Sequence, residues 1–524
     1  MSDANDDFER PSGKTLDGAT ESQPRGHHRV SIDAIDDTGP DDEPAGLYGS
    51  DRTAAEQRTR LLGGEVPVAV YGLGKMGLPL AGVLASVTGN VLGADIDQSV
   101  VQTVADGECH VVDEPGLADL VRNRVAEGAL RATPEPALAA RIAAIHVIVV
   151  PTLTTENDRP DLSALESVLA DVGGGLAAGD LVCVESTVPP RTCADVVVPT
   201  LAERSGLEPD EFGVAFCPER TASGRALEDI TTAYPKVVGG VDPESTRVAR
   251  LLYEHVTEND VIAVANATTA EAMKVFSGVY RDVNIALANE FARYATAIGV
   301  DVHEVIEAAN TQPHANLLSP GPGVGGHCIP VYPYFLLNGH DVDSPLIRVA
   351  RLVNDEMPRF TVELVRDALN RSGVDLSAAT VAILGITYRP GVAERRNSPA
   401  IPIADGLAKR GARVCWVDPL VDSPDAVPGT SCSLSEVIDR SPDAFVVVTP
   451  HESFMTLDWA GLESTIVVDC HAALDLDDSD HDVYAIGRPF EADDPVRGDA
   501  PPGGGTDLPP PMTGGRGRAQ SDDG

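Results

Sequence analysis

The stretch from Val66 to Asp95 restricts this chain more than any other. A short β-branched run, Val66 to Tyr71, leads into Gly72-Leu73-Gly74-Lys75-Met76-Gly77 and an apolar helical segment, Leu78 to Val87. A second strand, Val91 to Ala94, ends in Asp95, 18 residues beyond the third glycine. A bare Gly-x-Gly-x-x-Gly is a weak signal. Between a strand and a helix, with an acidic residue closing the next strand, it is a dinucleotide-binding fingerprint. Gly72 lets the chain turn, Gly74 lets the backbone reach a pyrophosphate at a helix N-terminus, and Gly77 lets helix lie close on sheet. Asp95 is expected to accept from ribose hydroxyls and to repel a 2′-phosphate, which favours NAD over NADP. The plainer alternative is a tight turn that holds no cofactor.

Strand-like runs continue at Ala144–Val150, Leu181–Glu185 and Gly213–Phe216, alternating with helical patterns. Each ends in a polar or proline-containing loop, as at the carboxyl edge of a parallel sheet, where ligands sit. These loops carry Pro151-Thr152, Glu185-Ser186-Thr187-Val188-Pro189-Pro190 and Cys217-Pro218-Glu219-Arg220. Thr187 and Glu219 are placed to face a substrate, although alone they read as a helix cap and a surface charge. From Thr268 to Ile298 apolar residues recur at helical spacing, and a long helix of this kind suits a dimer spine. Lys274 lies on it, one turn from Glu271. By itself that spacing reads as an i,i+3 ion pair on a solvated face. A further helix spans Val302–Ala309 and another Leu346–Leu369. A second α/β unit follows, with strands at Val381–Gly385, Arg413–Val417, Ala444–Thr449 and, last, Thr465–Asp469. It lacks the glycine fingerprint. The loop after its first strand carries Tyr388, Arg389 and the run Glu394-Arg395-Arg396-Asn397, in which arginines suit phosphate capture; a solvated charged loop is an equal alternative. The expected class is α/β: two Rossmann-like doubly wound domains joined by a long central helix.

A second unusual stretch is Pro320-Gly321-Pro322-Gly323-Val324-Gly325-Gly326-His327-Cys328-Ile329-Pro330. Glycine and proline in such density hold the backbone in conformations most residues avoid. Glycines around a thiol let a ligand approach the sulfur, which suits a nucleophile, and His327 is placed to tune or orient it. A tight turn with a buried, inert cysteine is an equal alternative.

Composition sets the boundaries. Residues 1–62 and 491–524 are rich in Asp, Gly, Ser and Pro without apolar periodicity, and are expected to be disordered tails. Between them lie a nucleotide-binding domain at 63–265, a central helical region with the cysteine loop at 266–372, and a second Rossmann-like domain at 373–490. The 524 residues carry 39 basic and 81 acidic side chains, a formal charge of -42. That balance argues against general nucleic-acid or anionic-membrane binding. With lysine only at positions 14, 75, 236, 274 and 409, the surface is like that of proteins from salt-loving organisms. No apolar run approaches membrane-spanning length and no signal pattern opens the chain, so a soluble, cytoplasmic protein is expected. The eight cysteines show no paired spacing, which argues against disulfides and a metal site.

Taken together, the ordered motifs resemble the nucleotide-sugar 6-dehydrogenases, the family of UDP-glucose and UDP-N-acetylmannosamine dehydrogenases. They are GLGKMGLPLA, EPGL at Glu114–Leu117, ESTVPP, CPER, RDVNIALANE at Arg281–Glu290, GPGVGGHCIPV, and the closing VVD and DVYAIGRP. The likeness runs from about Val66 to Arg488, and the cysteine loop with CPER is similar to the amino-sugar branch. The resemblance implies oxidation of a UDP-sugar C6 alcohol to a carboxylate with two NAD in turn, and a homodimer with substrate between the domains. It implies Cys328 as nucleophile, Lys274 as oxyanion stabiliser, Thr187 as positioner of water and Glu219 as aid to proton transfer. It places Gly72, Leu73, Gly74, Met76, Gly77, Asp95, Pro151, Thr152 and Thr187 at the cofactor. Arg220, Lys274, Arg281, Asn284, Gly325, Gly326, Tyr388, Arg389 and Arg396 fall at the substrate.

Three positions depart from the family pattern. Gly278 stands where an asparagine is common, Tyr332 where an aspartate is normal, and Pro313-His314-Ala315 where Pro-Arg-Val is usual. The expectation is an active enzyme with a rearranged supporting shell, in which Tyr332, or a water admitted by Gly278, substitutes. UDP-N-acetylmannosamine is the leading substrate, with UDP-N-acetylglucosamine and UDP-glucose behind it. Two rivals of other classes stand: a silent nucleotide-sugar-binding homologue, and a one-step dehydrogenase of the hydroxyacid or 6-phosphogluconate kind, which needs no cysteine in a glycine loop.

Overall fold

The computed structural model describes residues 46–112, 114–421, 427–476 and 478–490. The described residues form two compact units, one running to Val279 and including Val331–Ser344, the other made of Tyr280–Pro330 and the described residues from Pro345 onward. The region 266–372, expected as a separate central part, is therefore divided between them. The helix Ala267–Ile298 runs from one unit into the other.

The strands are β1 (Val68–Tyr71), β2 (Val91–Ala94), β3 (Leu130–Thr133), β4 (Ile145–Ile148), β5 (Leu153–Thr154), β6 (Pro160–Asp161), β7 (Leu181–Val184), β8 (Gly213–Phe216), β9 (Lys236–Gly240) and β10 (Val261–Ala263) in the first unit. All but the small β5–β6 hairpin make one sheet, in the order β10-β9-β8-β7-β4-β1-β2-β3. Every pairing in it is parallel except β8 with β9. The strands are buried on both faces, so they read as continuous apolar runs. Val68 and Val70 enter one core, while Ala69 and Tyr71 enter the other. Strand order reverses between β1 and β4, which makes a crevice at their carboxyl ends.

The second unit repeats the plan with β11 (Thr380–Leu384), β12 (Arg413–Val417), β13 (Thr430–Ser431), β14 (Ala444–Val447), β15 (Ile466–Asp469) and β16 (Asp482–Ala485). Its all-parallel sheet is ordered β13-β12-β11-β14-β15-β16. Val381 and Ile383 face one core, Ala382 and Leu384 the other. Thr465–Asp469 is thus not the last strand: β16 lies beyond it, in a segment whose apolar run is too short to stand out.

The expected tail at 1–62 ends too late. Residues 46–62 are folded, with Leu47 and Leu61 fully buried. Thr53 and Glu56 form a capping box on the helix Ala54–Leu62. Tyr48 N donates to Gly179 O at 2.9 Å, and buried Gln57 donates to Leu47 O at 3.3 Å. A few anchors docked on a preformed domain need no periodicity of their own, so composition conceals them. Residues 1–45 and the expected tail at 491–524 lie outside the described residues.

Candidate active site

The glycine turn after β1 is built as its sequence requires. Gly72 has φ +91°, and a Cβ there would fall 2.2 Å from Val149 O; a Cβ on Gly77 would fall 1.9 Å from Gly72 O. A Cβ on Gly74, by contrast, would meet open space. The following helix, Gly77–Thr88, has no side-chain cap; Leu78 N donates to Gly74 O at 3.0 Å and Leu80 N to Met76 O at 3.4 Å, while Pro79 has no N–H. Asp95, at the end of β2, holds the turn itself: its Oδ2 accepts from Leu73 N at 2.7 Å and its Oδ1 from Asp97 N at 2.9 Å. Beyond β4, the Thr152 hydroxyl is buried with no hydrogen-bond partner. An open glycine, an orphan hydroxyl and a carboxylate at the strand end fit a dinucleotide.

Four other residues of the first unit converge. Lys274 is largely buried on the long helix; its ammonium donates to Glu219 O and lies 3.9 Å from Glu219 Oε2. Glu219 is held in turn by Thr221, through both its backbone N–H and its hydroxyl. The Lys274 Nζ is 6.0 Å from the centroid of the Tyr332 ring, and the Tyr332 and Thr187 hydroxyls are 3.1 Å apart. The solvated pair of Lys274 with Glu271 does not form. Glu271 is buried and accepts instead from Arg191 N at 2.5 Å and Cys193 N at 2.7 Å. Arg191 has φ +77° there, and burial pushes the Glu271 carboxyl up.

Gly278 and Tyr332 prove to be one feature. A Cβ on Gly278 would stand 2.3 Å from Tyr332 Cδ2, so the ring fills the volume that any other residue at 278 would claim. The tyrosine is 7% exposed and lies against Phe335, with centroids 5.8 Å apart. The two departures from the family pattern are therefore a complementary exchange of volume.

Behind this cluster sits an ion pair that pattern reading missed. Glu185 is fully buried at the end of β7; Lys236 Nζ donates to its two oxygens at 2.8 and 2.7 Å, and Tyr253 OH donates to Oε1. Lys236 also donates to Cys217 O at 2.8 Å, which fastens the CPER segment to β9. Burial raises the Glu185 carboxyl, with Lys236 opposing it. The signal was the rarity of lysine in so acidic a chain. Arg220, expected at the substrate, donates to Pro235 O at 3.1 Å and lies over the Tyr234 ring. With Met76, Glu219, Thr221 and Lys236 it lines a small pocket.

In the second unit the cysteine loop is docked on the segment after β11. Gly326 N donates to Arg396 O at 2.9 Å, and Asn397 Nδ2 donates to Gly326 O at 2.8 Å. Gly325 and Gly326 press against Tyr388, where a Cβ on either would fall within 2.6 and 3.0 Å of its side chain. At the loop's start Gly321 N donates to Asn289 Oδ1 at 2.9 Å, and Asn289 is tied to Asn354. Cys328 is half-buried; of the other seven cysteines only Cys109 is equally accessible. His327 Nδ1 lies 3.5 Å from Glu394 Oε1. A hydrogen bond to Cys328 and the Glu394 carboxylate push the imidazole up to about 10. Arg396 Nε is 3.7 Å from the same carboxylate oxygen, and Arg389 is half-buried beside Tyr388, whose phenol burial raises. Asn284 donates to Tyr280 O of its own helix at 2.7 Å, and Arg281 is exposed. Among the described residues no group of three or more His, Cys, Asp or Glu is arranged to hold a metal, and no helix is long and apolar enough to cross a membrane.

Two doubly wound domains, a dinucleotide turn and a half-buried thiol beside an imidazole define a nucleotide-dependent oxidoreductase. Comparison with known proteins narrows this. The chain belongs to the UDP-glucose/GDP-mannose dehydrogenase family: residues 66–257 match its NAD binding domain, 268–356 its central domain and 382–476 its UDP binding domain. It is an NAD-dependent nucleotide-sugar dehydrogenase. It is 37% identical over 411 residues to an NDP-N-acetyl-D-galactosaminuronic acid dehydrogenase of Ralstonia nicotianae, covering 77% of this chain and 95% of that one. It is also 37% identical over 396 residues to a UDP-N-acetyl-D-mannosamine dehydrogenase of Pyrococcus horikoshii, covering 75% and 92%. The solved UDP-D-ManNAc dehydrogenase of that organism superposes with a TM-score of 0.75 at 35% identity, covering 81% of this chain and 99% of the other.

Proposed function

We propose that the protein oxidises the C6 hydroxyl of UDP-N-acetyl-D-mannosamine to the uronic acid in two successive two-electron steps. Relatives at equal identity are named for two different N-acetylated sugars, so the acetamido group is the shared element of the substrate class. The observation that carries the reading is Cys328: a half-buried thiol on a glycine-rich loop, hydrogen-bonded to the neighbouring imidazole. In the first oxidation the alcohol becomes an aldehyde, and the Cys328 sulfur captures it as a thiohemiacetal. The second oxidation leaves a thioester, which water opens to the carboxylate. Gly72, Leu73, Gly74, Met76, Gly77, Asp95, Pro151, Thr152 and Thr187 would hold NAD, which would supply a hydride acceptor for each oxidation. Lys274 stabilises negative charge on the substrate oxygen, since a largely buried ammonium acts where water screens it little. Thr187 holds the hydrolytic water, and Glu219 takes its proton. Arg220, Arg281, Asn284, Gly325 and Gly326 hold the sugar, while Tyr388, Arg389 and Arg396 hold the diphosphate.

The product is a uronic acid donor for surface polysaccharide or glycoprotein glycans, made in the cytoplasm of a salt-adapted cell. The working form is a homodimer. Phe276, Tyr280, Leu287, Phe291, Tyr294 and Ile298 are exposed along the long helix at helical spacing, a stripe that a second copy would cover. Sedimentation at a monomer's mass would end that part of the proposal.

Purified protein is incubated in high salt with a panel of UDP-sugars and NAD, following NADH and the sugar products. The expected result is two NADH per UDP-N-acetylmannosamine, with Cys328→Ser forming aldehyde but no acid. Acid formation by Cys328→Ser would refute the thioester route. A wild-type protein that binds the sugar without turnover would favour the silent homologue.

A further inference from the structure

The notable feature within the second unit is that the cysteine loop does not stand alone. Its docking on the 388–397 segment, through Gly326 N to Arg396 O and Asn397 Nδ2 to Gly326 O, brings a carboxylate to the imidazole next to the thiol. Asn397 has φ +54°, a conformation asparagine tolerates better than most residues, and this turns the segment back toward the loop. His327 is 44% exposed and Glu394 22%. A salt bridge at that exposure would contribute little to stability. Its interest is chemical.

We propose that Cys328, His327 and Glu394 form an activating array in which the resting pair is thiolate and imidazolium, with Glu394 holding the imidazole and its charge. The inference rests on the reading of Cys328 as nucleophile and deepens it. The Cys328 S–H bond breaks and its proton goes to the imidazole. The thiolate then forms the S–C bond to the aldehyde carbon, and the carbonyl π pair moves to oxygen as an alkoxide. When hydride leaves that carbon for NAD, the pair on oxygen restores C=O and gives the thioester. Hydrolysis expels the sulfur as thiolate beside an imidazolium that never lost its charge, so the leaving group is stabilised as well as the nucleophile. Cys328 and Glu394 act on the imidazole, Arg396 is paired to that carboxylate, and the Tyr388 phenol feels Cys328, Glu394 and Arg389. Arg396 limits how much negative charge Glu394 presents.

The test is the pH dependence of Cys328 alkylation by iodoacetamide, read by peptide mass spectrometry on the full chain without substrate. The six buried cysteines are internal controls and Cys109 is an accessible one. The wild-type midpoint is expected at least one unit below the ~8.5 of a free thiol, and His327→Gln should return it to ~8.5. At pH 7 that is about a tenfold slower reaction. Glu394→Gln should raise the midpoint part of the way. A purely structural role would change the rate at every pH and leave the midpoint in place. A wild-type midpoint near ~8.5, or one that His327→Gln does not move, overturns the proposal; one that Glu394→Gln alone does not move removes Glu394 from it. The outcome is separable from the parent reading, because retained acid formation in Cys328→Ser would sink the nucleophile whatever the alkylation shows.

Discussion

Replacing Gly278 with alanine should reverse its effect on stability according to what occupies position 332. Gly278 lies inside the helix Ala267–Ile298, where alanine is intrinsically better than glycine by about 1 kcal/mol. The new methyl, however, would stand 2.3 Å from Tyr332 Cδ2, 3.1 Å from Cε2 and 3.3 Å from Cγ. The ring has little room to yield, since it is 7% exposed, lies against Phe335 and is bonded through its hydroxyl to Thr187. Overfilling a closed site of this kind costs about 1–3 kcal/mol. In the wild-type background the two terms oppose, and Gly278→Ala should be destabilising by up to about 2 kcal/mol. In a Tyr332→Ala background the ring is gone, and the same substitution should stabilise by about 1 kcal/mol. The coupling between the two sites should therefore be about 1–3 kcal/mol, which a double-mutant cycle resolves. The assay is the urea midpoint of the four proteins at one salt concentration. Activity supplies a second reading: Gly278→Asn adds still more volume and should lower kcat, because it drives the Tyr332 hydroxyl from Thr187. Equal stability changes in both backgrounds would refute the complementary exchange, and a large gain in kcat from Gly278→Asn would refute the catalytic part.

Other outcomes follow from charges rather than volume. Lys236→Met leaves the fully buried Glu185 without its cation, which should cost about 3–5 kcal/mol in thermal or urea unfolding. Adding Glu185→Gln should restore part of that loss, and a double variant no more stable than Lys236→Met would count against the pair. Asp418 closes β12, and burial works against its charge; hydrogen bonds from His451 and from the backbone of Thr387, Leu420 and Ile386 outweigh this and hold it at about 2. A carboxyl held below its unfolded value stabilises the fold above pH ~4, and that share is lost as pH falls through about 2. Asp418→Asn should flatten the fall in stability between pH 4 and pH 2, and an unchanged slope would show that Asp418 is not its source.

Asp418 and Asp95 also show what in this fold the sequence discloses and what it withholds. Both end the second strand of a doubly wound unit, and both turn out to accept from the backbone of the preceding turn, Asp95 from Leu73 and Asp418 from Ile386 and Thr387. Position at a strand end was legible, because apolar runs and glycines mark strands and turns locally. The internal partners were not, because they join residues far apart in the chain. The same division runs through the site. The glycine turn was legible as a short motif that does unusual things to the backbone, whereas Cys328 left an inert turn as an equal reading and Lys274 by itself read as a solvated ion pair. The partner of Lys274 was not: helical spacing offered Glu271, but that carboxylate is drawn away by two backbone amides near Arg191, leaving Glu219 as the neighbour. Gly278 and Tyr332 each looked like a loss, since residue identity reports chemistry and says nothing of shared volume. Only placing the ring over the missing Cβ turns two apparent defects into one arrangement, in which the phenol hydroxyl stands 3.1 Å from Thr187 and the ring faces the ammonium. Two positions can therefore differ together without leaving a void, the ring at 332 occupying the space that a side chain at 278 would claim. A single departure from a family pattern is best judged beside whatever fills the space it opens.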